Sequence, residues 1–185
     1  DNDVSNSMTG VTYAWVANAN NDVSGEGSGT SDITETLTNL SGVDQTVTYV
    51  ITPTGANGCV GNSFNYVVTV NPEPVGVAGT ATTCSDVALA ITLDDNDVSN
   101  SMTGVTYAWS ANANNDVSGE GSGTGDITDV LTNLTGVDQT VTYVITPTSA
   151  DGCVGNTFNY VVTVNPEPVG IAGTATTCSD VALAI

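Results

Sequence analysis

Apolar and polar residues alternate along most of this chain. Val11, Tyr13 and Trp15 are interleaved with Thr12, Ala14 and Val16, and Val47, Tyr49 and Ile51 with Thr46, Thr48 and Val50. A period of two puts successive side chains on opposite faces of an extended backbone, so both runs predict strands with one face turned to a core. The same pattern predicts strands over 33–40, 64–70, 75–83 and 87–93, the last with Val87, Leu89, Ile91 and Leu93 on one face, and a short strand over 22–26. Between them lie breaker-rich connections such as NANND, GEGSG, SGVD and TPTG, whose Gly, Pro, Asn and Asp residues supply turn geometry. No window carries a helical period. Turns return about every 8 to 12 residues, the spacing of an all-β sandwich.

The pattern itself repeats. Asp1–Trp15 (DNDVSNSMTGVTYAW) returns unchanged as Asp95–Trp109, an offset of 94 residues. Over the 91 positions that overlap (185 minus 94), nine differ, among them Val16/Ser110, Glu35/Asp129, Asn57/Asp151 and Val77/Ile171. Each period has the size of one small domain, and the reading is tandem immunoglobulin-like β-sandwiches. Periodicity sets the length of a unit but not its phase. One phase divides the chain into 1–94 and 95–185; the other cuts near 72 and 166, at the two NPEP segments.

Strand parity bears on that choice through the cysteines. Cys59 and Cys84 flank Pro72 almost symmetrically, and Cys153 and Cys178 repeat the arrangement. If 64–70 and 75–83 form an antiparallel hairpin, its two cysteines meet at the open end. A disulfide requires α-carbons within about 7 Å. In the 94/95 phase the expected bonds are Cys59–Cys84 and Cys153–Cys178; the other phase leaves Cys84–Cys153 as the alternative. Paired cysteines would imply an oxidising, extracellular setting.

Composition removes whole classes of function. Lys, Arg and His are absent, Asp and Glu number 20, and the formal charge is −20. Without cations the chain has no means of displacing counterions from a phosphate backbone, so nucleic acid is excluded as a partner. Schiff-base chemistry, Ser-His-Asp and Cys-His nucleophiles and His-ligated zinc are excluded with them. Carboxylate pairs for glycoside hydrolysis remain conceivable, but nothing places two of them across a cleft. No enzyme activity and no cofactor are expected. No apolar run approaches the roughly 20 residues of a membrane helix, and the first residues, from Asp1, do not have the basic-then-apolar pattern of a signal peptide. The chain therefore reads as an internal piece of a longer exported protein, with no membrane insertion in this segment.

Several runs together carry a family resemblance: CSDVALAITL from Cys84, VTYAW from Val11, GSGTSDITETLTN from Gly27, TVTYVITPT from Thr46, GCVG from Gly58 and YVVTVNPEP from Tyr66. They resemble the PKD-like repeats of giant surface proteins in Bacteroidota, above all those of gliding-motility and filamentous adhesins. The resemblance implies an immunoglobulin-like fold, secretion by the type IX route, and a cell-surface stalk or fibre of many repeats whose partners are neighbouring repeats. It brings no catalytic residue with it.

Two features remain as candidate chemistry. Asp94, Asp95 and Asp97, with Asn96, Ser99 and Asn100, offer hard oxygen ligands suited to Ca²⁺. The spacing imitates the opening of an EF-hand loop but lacks its turn glycine and its bidentate Glu. A solvated acidic loop that keeps a fibre soluble is the plainer reading. Trp15 and Trp109 have faces able to stack on sugars, which would make the repeat a glycan-binding or Ca-dependent adhesion module; on an alternating strand the expectation is instead a sandwich-core tryptophan.

Overall fold

The structure is a computed structural model that describes residues 8–182. The first unit contains β1 (Thr12–Ala17), β2 (Val23–Ser24), β3 (Ser28–Gly29), β4 (Thr38–Asn39), β5 (Gln45–Thr54) and β6 (Phe64–Val70). These are followed by β7 (Gly79–Cys84) and a one-turn 3₁₀ segment, Asp95–Asp97. Then come β8 (Thr106–Ala111), β9 (Val117–Ser118), β10 (Ser122–Thr124), β11 (Thr132–Asn133), β12 (Gln139–Thr148) and β13 (Phe158–Asn165). No described helix is long and apolar enough to cross a membrane.

Each unit is built on one sheet whose antiparallel strands share a common register. In the first, the order is β3-β1-β5-β6; in the second it is β10-β8-β12-β13-β7. Trp15 lies opposite Ile51 in one and Trp109 opposite Ile145 in the other. The facing layer is lighter: β2 pairs with β4 and β9 with β11. In the second unit it gains residues 87–93, held by isolated bridges at Ala88–Val130 and Ile91–Ile127. Leu89, Ile91 and Leu93 point into the core as their alternation predicts, while Val87 stays half exposed.

The placement of β7 corrects the sequence-based division at 94/95. β7 does not return antiparallel on β6. It crosses to the second unit and pairs in parallel with β13, Gly79 opposite Tyr160 and Cys84 opposite Asn165. Residues 74–165 thus share one sandwich, whose core unites Leu89, Ile91, Leu93 and Val98 with residues from Met102 to Val164. The physical reason is the segment before β7: Asn71–Gly76 carries two prolines and no two-residue hairpin turn, and its extended path delivers β7 to the next sheet.

Candidate functional site

The two units bury the same residues to different degrees. Ile127, Leu131, Ile145, Val162 and Val164 are wholly inaccessible, whereas Ile33, Leu37, Ile51, Val68 and Val70, at the same places in the first unit, are only half-buried. Among the described residues the second core contains sixteen buried members and the first only four, Trp15, Val23, Val47 and Tyr49. The difference traces to a missing layer. What seals the second unit is residues 76–93, and no described residue occupies that position on the first. A cleft of about 550 Å³ lies along it, lined by Tyr13, Trp15, Ile33, Ile51, Phe64 and Tyr66. β6 forms one edge of its sheet, and Tyr66 stands 60% exposed.

The equivalent tyrosines differ in their polar contacts. Tyr107 donates its hydroxyl to the Asp94 carbonyl at 2.8 Å. The equivalent Tyr13 hydroxyl is buried without a hydrogen-bond partner among the described residues, a costly condition for a polar group. Sequence reading missed this cleft. Nothing in the alternation of residues 1–70 signals it, because Tyr13, Trp15, Ile33 and Ile51 recur unchanged in the second unit.

The carboxylates of the acidic turn accept hydrogen bonds from nearby backbone amides. Asp94 caps the 3₁₀ segment by accepting from the Asn96 backbone at 2.8 Å, and Asp97 answers by accepting from the Asp94 amide at 2.8 Å. The Asp95 carboxylate reaches across to the Gly104 and Val105 amides, both at 3.1 Å. The three carboxylates therefore face separate backbone donors and are not gathered into a ligand set; no described group of three or more acidic, Cys or His side chains converges on a metal position.

The expected disulfides are not formed. Cys59, Cys84, Cys153 and Cys178 are all free thiols. Cys59 belongs to the first sandwich and Cys84 to the second. The alternative partner Cys153 precedes β13, whereas Cys84 lies opposite the last residue of that strand, Asn165. For Cys59–Cys84 the premise, an antiparallel hairpin of 64–70 with 75–83, gives way to parallel addition of β7 on β13.

Trp15 and Trp109 are core residues, 8% and 9% exposed. Each indole packs edge-on against a tyrosine, Tyr49 at 5.7 Å and Tyr143 at 5.6 Å between ring centroids. Their N–H groups donate to the carbonyls of Ser31 at 2.7 Å and Gly125 at 3.0 Å. So little of either ring is exposed that both serve as core residues first.

A PKD-like domain profile matches residues 1–74 and again 81–168. The chain belongs to the PKD-like domain family. No curated protein matches the chain. Domains of this family are in general non-catalytic immunoglobulin-like modules, typical of extracellular structural or adhesive proteins. The PKD-like assignment agrees with the β-sandwiches described here, and the gap between the matches, 75–80, falls where the chain passes from one sandwich to the next.

Proposed function

We propose that this chain is a stalk or filament repeat of an extracellular bacterial adhesin or surface fibre, of the kind found in gliding-motility adhesins, and that its task is length and stiffness. The observation that carries the reading is the junction between units. Asn100 ties down the connection on both sides of Pro74, donating from Nδ2 to the Glu73 carbonyl at 2.8 Å and accepting from the Val75 amide at 3.3 Å. Val75 then accepts from the Ser99 amide at 2.8 Å, and Val77 donates to Asp97 at 2.8 Å. Gly42, at the end of the first unit, sits so close that a Cβ there would overlap the Asn100 carbonyl. Proline restricts the same segment at Pro72 and Pro74. A tethered, proline-stiffened joint between near-identical sandwiches suits a load-bearing spacer. The buried tryptophans favour the spacer over a sugar-binding module.

Small-angle scattering at low concentration tests the reading. Strands of about eight residues rising about 3.3 Å each, with loops, give roughly 35 to 45 Å per unit. Scattering from a rod of two such units in line is the expected result; the profile of two freely jointed domains would refute the spacer reading.

A further inference from the structure

We propose that the outer faces of the two large sheets are contact surfaces between copies of this chain, which pack side by side, sheet face on sheet face. This goes beyond the spacer reading, which is silent on how separate chains meet.

The starting point is where charge is absent. The sequence holds 20 acidic residues and no cation, yet none of the described acidic residues lies in a strand. Along each strand of the second unit one side enters the core, as Val141, Tyr143, Ile145, Val162 and Val164 do. The other side faces outward. There Thr140, Thr163 and Thr82 lie in register across three strands, and the next row is Thr142, Val161 and Thr80. Ser110 and Ala108 carry the face onto β8, opposite Val144 and Thr146. The first unit has the same rows, with Thr46 opposite Thr69 and Thr48 opposite Val67. In a soluble surface about a quarter or more of the residues are ordinarily charged, and on these faces none is.

Chemistry selects the occupant. The hydroxyls of Thr80, Thr82, Thr140, Thr142 and Thr163 take part in no hydrogen bond among the described residues. A hydroxyl both donates and accepts, so the same face on another copy offers complementary partners without any charge. The threonine methyls, with Val144 and Val161, supply apolar contact between those hydroxyls. A cationic partner would be drawn instead to the loops, where the carboxylates stand. A second copy brings carboxylates of its own and nothing to neutralise them, so the approach that keeps like charges apart is face to face.

The area suffices for a weak, specific contact. The second sheet has five strands; at about 4.8 Å between strands and about 26 Å of strand length the face covers about 600 Å², and two faces together bury about 1,200 Å², the low end of specific interfaces. Equivalent faces meet isologously, and stacked sheets lie about 10 Å apart with their strands about 30° from parallel. Salt that screens the loop carboxylates of neighbouring chains strengthens the contact. With one face on each unit, a copy is able to meet two neighbours, which turns pairs into bundles.

The test is sedimentation velocity of the 185-residue chain from micromolar to near-millimolar concentration, in low and in molar salt. Mass rising with concentration, and more steeply in molar salt, is expected. Val67→Asp combined with Val161→Asp places a carboxylate within each outer face and leaves the core side of the strands untouched; apparent association is expected to fall about tenfold or more. Thr48→Glu combined with Thr142→Glu probes the same faces from the neighbouring strands, should the valine pair fail to fold. Leu40→Asp combined with Leu134→Asp adds the same charge at loop residues that are 63% and 61% exposed, and association is expected to stay near the parent's. Three results would overturn the proposal. One is a monomer at every concentration in molar salt, even where scattering shows the rod of the spacer reading. Another is association that the face variants and the loop variant weaken alike, or that none of them weakens. The third is a monomer retained on an insoluble neutral polysaccharide and released by the face variants, which would give these faces to a glycan surface.

Discussion

The Tyr143 hydroxyl donates to the Asp129 carboxylate at 2.9 Å, and 94 residues earlier Tyr49 donates to Glu35 at 2.6 Å. The acceptor differs by one methylene between the units and the bond survives. Asp129 also accepts from the Gly121 amide at 2.9 Å, which holds the carboxylate facing the tyrosine. Each pair thus joins the sheet that carries the core tyrosine to the edge loop opposite, beneath the edge-on tryptophan.

These phenols make the fold sensitive to alkali. Burial first, then the hydrogen bond to Glu35 and its charge, push Tyr49 up to about 12 from 10.0. Burial, then the charges of Asp97, Asp95 and Asp94, raise Tyr107 to about 12. Burial, then Asp129, raise Tyr143 as well. A raised folded value means that the native state holds protons the unfolded chain releases. Stability from these groups is therefore complete below about pH 10 and is lost as pH climbs towards 12 and beyond. The melting temperature is expected to fall across that window, and Tyr143→Phe is expected to flatten the slope.

Twin substitutions measure the missing layer. Ile127 is fully enclosed and Ile33 is not. Ile127→Ala is expected to cost about 2 to 5 kcal/mol, the range for emptying a closed core site. Ile33→Ala is expected to cost clearly less at concentrations where chains are monomeric. Denaturant titration, read through amide exchange on β5 and β12 separately, compares the two. Equal losses would mean that the first core is already sealed.

Much of this architecture was legible in the alternation of residues. Tyr13 and Trp15 face inward because they sit at like parity on β1, and Leu89, Ile91 and Leu93 face inward for the same reason. Pairing partners were not legible. Gly79–Cys84 reads as a strand on composition, but nothing in its own residues says whether it returns on β6 or travels to β13. The difference lies in a proline-rich path and in glycines that fit against Phe158 and Tyr160, both properties of the assembled sheet. The cysteines were misread in consequence. The bonding of the acidic turn was not legible either, because composition counts carboxylates without showing that Asp94, Asp95 and Asp97 bond to backbone amides.

The free thiols have a direct check. Cys59, Cys84 and Cys178 are exposed and Cys153 is half-buried. Alkylation of the folded chain is expected to label the first three ahead of Cys153, and reductant is expected to leave the melting temperature unchanged. A linked pair recovered by non-reducing peptide mapping would overturn this. The mapping needs an acid-directed protease, since the chain offers trypsin no Lys or Arg.

The acidic turn predicts a mutational cost independent of any ion. Asp95→Ala strands the amides of Gly104 and Val105, and a loss of about 1 kcal/mol is expected, as for other caps. Asp95→Asn keeps an acceptor oxygen and should recover part of it. Calcium at matched ionic strength is expected to move the melting temperature of neither variant nor parent. A calcium-dependent rise in the parent that Asp95→Ala abolishes would establish the metal reading.

The joint between units is the last place where one side chain decides a property of the whole. Asn100 is bonded to both Glu73 and Val75, so its amide closes the connection into a short ring that proline already stiffens. Asn100→Ala removes both bonds but touches no buried core position. The expected outcome is a wider spread of inter-unit angles, seen as a shorter mean end-to-end distance between spin labels on Thr12 and Asn159, with little change in melting temperature. Gly42→Val approaches the same joint from the other side: its side chain would collide with the Asn100 carbonyl, and the first unit must swing away to admit it. If both variants keep the parent's distance distribution, the stiffness resides in the prolines, and Pro74→Ala becomes the substitution that loosens the chain.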